Sequence, residues 1–214
     1  MIAEMKMLLW KDYRLSRLIL VAGVMLIVGP YLMLMFFPRY WEWHYNAAWA
    51  FTTFISQFTM AFLAGNIIVS ERTDRSAEFL AFQGASRKMC IASKLIICFL
   101  VFALICCINI ILSFWFTASR FERSEEVLII SIPTGVCFFG CCWLLSALLS
   151  SPVYAIVFGT IMPFLIIFAL ALSAYFFNWS EMDYLWIWYI TICSGLGILS
   201  LLAGTWHFIR SKES

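Results

Sequence analysis

Apolar residues gather into six long runs, at roughly 18–37, 47–69, 94–117, 127–149, 153–177 and 186–208, and polar residues fall mostly between them. Each run is close to or longer than the roughly 20 residues that a helix needs to cross about 30 Å of hydrocarbon. The runs lack the polar face that a surface helix keeps. Their backbone groups must therefore be satisfied within helices while side chains turn to lipid or to one another. The pattern predicts an all-α, polytopic membrane protein with six transmembrane helices in a single domain spanning 1–214. Composition agrees, since 64% hydrophobic and 12% charged residues, with a mean hydropathy of +0.95, lie well outside the soluble range.

A basic stretch leads into the first run, as it would in a secretory signal. The run exceeds the usual signal core, however, and Pro38-Arg39-Tyr40-Trp41 offers no small-residue cleavage site, so it is expected to stay as a span. Within 1–17, Ile2, Met5, Leu9 and Tyr13 share one helical face while Lys11 and Arg14 lie opposite. This is the arrangement of a short N-terminal interfacial (elbow) helix; an ordinary basic flank is the alternative.

Charge sets the expected orientation. Eleven of the fourteen basic residues precede the first run, lie between the second and third, or follow the sixth. By the positive-inside rule both termini are cytoplasmic, in a multi-pass protein of the cytoplasmic membrane. The uncharged Ser150-Ser151-Pro152 link makes the fourth and fifth runs a tight hairpin. Aromatic rings crowd the two expected outer loops at Tyr40, Trp41, Trp43 and Tyr45 and at Trp179, Tyr184, Trp186, Trp188 and Tyr189, as an interfacial belt would.

Few groups within the runs can do chemistry. Thr52, Ser56, Thr59 and Asn66 fall on one face of the second helix, and Asn109 lies in the third. They either line a transport path or glue helices together. Cys193, Gly197, Ser200 and Gly204 form a small-residue stripe for close packing, including between subunits. Pro133 and Pro163 invite kinks that are either hinges or static. Of the eight cysteines, seven lie inside runs without His, Asp or Glu beside them. They behave as small apolar side chains more readily than as a Cu(I) site or a disulfide framework, so no metal site is assigned. HExxH, GxSxG and paired intramembrane carboxylates are all missing from the sequence, so catalytic residues are not expected.

The connection 70–93 is charged at its ends and apolar in its middle. Asp74 is a candidate N-cap and Gly84 a stop for a short helix that places Phe79 and Phe82 on one side, and Ser86 can cap the third span. Such an aromatic knob suits docking into a groove of a cytoplasmic partner; lying against the membrane is the other reading.

These residues resemble the cytoplasmic segment of the ABC-2 type permeases, the six-span membrane subunits of ABC transporters. The likeness rests on Gly65-Asn66, Glu71-Arg72, Glu78-Phe79-Leu80, Ser86-Arg87 and Lys94, with Lys11-Asp12-Tyr13-Arg14 before the first span and the six-span layout, so it embraces nearly the whole chain. Gly84 stands where the family often has Pro, and both residues interrupt a helix. The connection from Phe177 to Trp186 is short for the re-entrant outer helices of larger members.

The resemblance implies a coupling helix that seats in a separate ABC ATPase subunit, with Glu71, Arg72, Glu78, Phe79, Leu80, Phe82, Ser86 and Arg87 as the partner-binding set. It also implies a dimer, with itself or a related permease, and favours export. ATP is then the partner's cofactor: no Gly in this chain is followed by Lys, so the phosphate loop of a nucleotide-binding domain is missing, and the chain itself is not an enzyme and has no cofactor of its own. Lipid is the remaining expected partner, and nucleic acid is not one. The competing assignment from another class is a non-transporting membrane scaffold or assembly factor.

Overall fold

The computed structural model describes residues 2–36, 42–69, 86–116, 122–177 and 182–210, and these form six α-helices. They are α1 (Ile2–Phe36), α2 (Glu42–Ile67), α3 (Arg87–Phe116), α4 (Glu122–Leu148), α5 (Pro152–Phe177) and α6 (Met182–Arg210). The fold is all-helical among the described residues. Five of the helices are long and apolar enough to cross a membrane, and α2 is not among them.

The position of α2 accounts for its polarity. It packs against α1, α3, α4 and α5, more neighbours than a peripheral helix meets, so much of its surface faces protein. Thr52 donates to the Ile27 carbonyl of α1 at 3.3 Å, and Gln57 Nε2 donates to the Ser131 carbonyl of α4 at 2.8 Å. Asn109 of α3 donates to Ser56 Oγ at 2.9 Å, and Ser56 in turn donates to the Thr52 carbonyl. Both Ile27 and Ser131 accept through backbone carbonyls, so side chains of α2 tie it directly to α1 and α4 where water is scarce.

α4 and α6 make the most extensive contact in the chain. The stripe of Cys193, Gly197, Ser200 and Gly204 faces α4 of the same chain, so its close packing is intramolecular. A Cβ on Gly197 would lie 2.5 Å from the Val136 carbonyl oxygen, and one on Gly140 would collide with the Gly197 backbone. Trp143, fully buried, donates from its indole to Thr205 Oγ1 at 3.2 Å. Tyr189 is also buried, against expectation for a belt residue. Its hydroxyl meets Thr134 Oγ1 at 3.0 Å, while Thr134 donates to the Ile130 carbonyl. Trp186 and Trp188, on other sides of the same turn, are exposed.

The link between α4 and α5 is the tight hairpin that the sequence predicts. Pro152 begins α5 where its missing N–H costs nothing, and Ala155 N donates to the Ser151 carbonyl at 3.2 Å. α5 is apolar all round and leaves Val153, Phe158, Phe168 and Phe176 exposed, the surface of a helix facing lipid.

The first seventeen residues are not a separate element. α1 runs unbroken for 35 residues, about 52 Å at 1.5 Å per residue, so it outreaches a hydrocarbon layer by some 20 Å. Its buried face is also rotated from the expected one. Leu8, Asp12 and Ser16 turn inward at a spacing of four, whereas Tyr13 is exposed.

Candidate functional site: a charge-held joint beside the 70–85 connection

At one end of the bundle α1 begins, α2 ends and α3 begins, and the 70–85 connection joins the latter two there. The last turn of α2 leaves carbonyls without helical partners, and such orphan acceptors call for a donor when they are buried. Ile67, Ile68 and Val69 are all buried. Lys94, two turns into α3, donates its ammonium to the Ile67 carbonyl at 2.9 Å. A cation there also opposes the negative end of the α2 dipole.

Burying an ammonium is costly unless an anion accompanies it. Asp12 of α1 supplies the anion: Lys94 Nζ lies 3.5 Å from Asp12 Oδ1, with the residues 0% and 1% exposed. Ser93 donates to the other carboxylate oxygen at 2.6 Å, a short charge-assisted bond, and has the Cys90 carbonyl at 2.9 Å as its alternative acceptor. Lys11, its side chain 26% exposed, brings a second ammonium to 3.4 Å from Asp12 Oδ1. Leu8 and Cys90, one turn before Asp12 and Lys94 on their helices, form a small buried cluster with Met89, and Ile68, Ile97 and Cys98 belong to the main apolar core.

Three helices therefore meet at one buried ion pair. In a dry surround the pair is held by geometry as much as by charge, and removing one partner strands the other. The joint fixes the exit of α2 and the entry of α3 relative to α1, and those two points are the anchors of the 70–85 connection.

Of the residues assigned from sequence to the coupling segment, Glu71, Arg72, Glu78, Phe79, Leu80 and Phe82 lie outside the described residues. Ser86 and Arg87 are described. Ser86 caps α3 as expected, its Oγ accepting from Met89 N at 3.3 Å and its carbonyl from Cys90 N at 3.1 Å. The polar set divides by partner. Thr52, Ser56 and Asn109 join one hydrogen-bonded ladder; Thr59 donates to the Ile55 carbonyl and packs against Gly23; Asn66 is half-buried one residue before the carbonyl that Lys94 holds. Gln57, on a different face, was not picked out by the pattern. Its Oε1 is buried without a hydrogen-bond donor among the described residues, beside Gly135.

Cys137, Cys141 and Cys193 cluster with Tyr189 between α4 and α6. Among the described residues, no group of three or more His, Cys, Asp or Glu side chains is arranged to hold a metal ion.

Sequence reasoning used Lys94 among the basic residues and in the resemblance, and Asp12 in the resemblance, but did not pair them. A signal for the pair was available. Asp12 is the only acid between Met5 and Phe36, and Lys94 lies inside an apolar stretch, beyond the Arg87-Lys88 that already marks a boundary. Ionisable residues so placed usually have a partner.

No family model, curated protein or solved structure matches this chain.

Proposed function

We propose that this chain is the membrane-spanning permease subunit of an ATP-driven, ABC-2 type transporter, crossing the cytoplasmic membrane six times with both termini inside. In this reading α2 is the second span and completes the six, polar because its neighbours shield it. The basic half of α1 is the interfacial helix, continuous with the first span. The chain works as a dimer, with itself or a related permease, on two separate ATPase subunits, and exports its cargo.

One observation carries the reading beyond the sequence resemblance. Lys11-Asp12 and Lys94, motif positions more than eighty residues apart, converge on the end of α2 within a turn of Asn66. They meet where a coupling segment must be anchored if force on it is to reach the spans. A push on 70–85 is then delivered to α1, α2 and α3 together.

The test is copurification. The tagged chain, extracted from its own membranes into lipid nanodiscs, should bring down a polypeptide bearing a phosphate loop, together with ATP hydrolysis that the chain alone lacks. Replacing Phe79 and Phe82 with Ala at equal membrane levels should reduce that yield at least tenfold, as loss of an aromatic anchor does. If the wild type brings down no ATPase, the scaffold reading takes over. Undiminished yield from the double variant would remove 70–85 from the docking site.

A further inference from the structure

The outward face of the first half of α1 differs from every other exposed face described above. Opposite the buried Leu8, Asp12 and Ser16, the side chains of Lys6, Trp10, Tyr13, Arg14 and Arg17 all project within about 100° of one another at the helical angle of 100° per residue. All five are exposed, Trp10 by 65%, and the Trp10 and Tyr13 rings pack together at 6.0 Å between centroids. Glu4, the other acid at this end of α1, lies off the stripe.

Beyond Arg17 the helix changes character within one turn. Leu18, Val21 and Met25 are exposed there, Leu18 by 76% and Met25 by 70%, and from Leu18 to Phe36 α1 carries no charge. A surface this apolar is at ease only against hydrocarbon, which fixes the depth of the stripe. Arg17 stands at the edge of the apolar layer, with Arg14 and Tyr13 about 5 Å farther out and Trp10 about 10 Å, within the zone that phospholipid headgroups occupy. Indole and phenol rings favour that zone, and basic side chains extend their stems over apolar surface while their heads seek anions.

From this placement we infer that the Lys6, Trp10, Tyr13, Arg14 and Arg17 stripe of α1 is a binding surface for the headgroups of anionic phospholipids in the leaflet at this end of the bundle. A second copy of the chain is a poor occupant, because two such stripes brought face to face repel. The stripe shares a helix with the ion-pair joint but faces away from it. Anionic lipid thus grips α1 on one side while Asp12 holds α3 and the end of α2 from the other. The inference rests on the membrane setting that five long apolar helices support, and not on the transporter assignment.

Native mass spectrometry of the chain released from nanodiscs made of equal parts phosphatidylglycerol and phosphatidylcholine reads this directly. The wild type should retain phosphatidylglycerol preferentially. The Lys6→Gln, Arg14→Gln, Arg17→Gln variant should lose that preference by about tenfold or more, since each basic residue near an anionic surface contributes about fivefold. Arg14→Lys with Arg17→Lys, which keeps the charge, should retain it. High potassium chloride should weaken the preference in the wild type itself, so the result does not depend on a variant folding. Enrichment that survives both the neutral variant and salt overturns the inference. Displacement of lipid by millimolar inorganic phosphate would also overturn it, by showing a site for free phosphate and not a lipid surface.

Discussion

α4 and α6 are held by backbone proximity, whereas α1 and α3 are held to the end of α2 by charge. On the α4 and α6 side, Gly140 and Gly197 leave no room for a Cβ, and Trp143 and Tyr189 add hydrogen bonds at the rims. On the other side one carboxylate, one buried ammonium and one carbonyl do the fastening over a few ångströms. The first kind of contact is attractive at all points along a stripe and gives way only if the helices separate. The second is concentrated, directional and strong only while its members stay aligned. A part that must stay put is well served by the first, and a part that must transmit a displacement is well served by the second.

The comparison can be broken most forcefully at the glycine seam. Gly140→Leu drives a side chain into the Gly197 backbone, which cannot yield as a flexible side chain can. The expected loss is on the order of 5 kcal/mol, seen as disappearance of the monodisperse species when solubilised membranes are run by size exclusion at equal expression. A well-behaved Gly140→Leu protein would mean that α4 and α6 are not locked.

Next in size is Lys94→Met, which leaves the Asp12 charge with the Ser93 hydroxyl and the partly exposed Lys11 and takes the Lys94 donor from the Ile67 carbonyl. The expected cost is about 3–5 kcal/mol of stability in lipid, measured by denaturant titration. Smaller again is Asn109→Leu, which removes the bond to Ser56 but strands no charge. It should cost about 1 kcal/mol, since interhelical hydrogen bonds in membranes average below that and rarely exceed about 1.7 kcal/mol. If Asn109→Leu cost as much as Lys94→Met, the polar ladder of α2 and not the ion pair would be the main fastening on this side. The smallest effect is expected from Ser86→Ala. Its cap is exposed and its bond is 3.3 Å, so about 0.5 kcal/mol is lost, and faster amide exchange should be confined to the first turn of α3.

Much of the architecture was legible because hydrophobic runs and helix boundaries share one cause. The apolar runs coincide with the helices to within a few residues except where a helix continues past its apolar run. The Ser150-Ser151-Pro152 hairpin and the Ser86 cap followed from local chemistry, and the structure contains both. Other features were not legible, because they depend on which face of a helix meets which neighbour. That α1 runs on through residue 17 was one of these: nothing between Arg17 and Leu18 interrupts a helix, and a change of polarity alone does not end one. Tyr189 looked like a belt residue beside Trp186 and Trp188, yet the turn of α6 aims it at Thr134. Gln57 fell off the face that Thr52, Ser56 and Thr59 define, so the face pattern hid the residue that bonds α4. The Asp12 and Lys94 pair is a contact across eighty-two residues, which no local period reports.

A charge-held joint requires Asp12 and Lys94 to act as one unit. A double-mutant cycle of Asp12→Asn, Lys94→Met and the two together, each titrated to unfolding in the same lipid, isolates their interaction from other effects of each change. Each single variant should lose several kcal/mol. The double variant should lose less than the sum, with a coupling energy on the order of 2 kcal/mol, because removing both charges leaves neither one stranded. Additivity within about 0.5 kcal/mol would place the two residues in separate environments and contradict the charge-held joint.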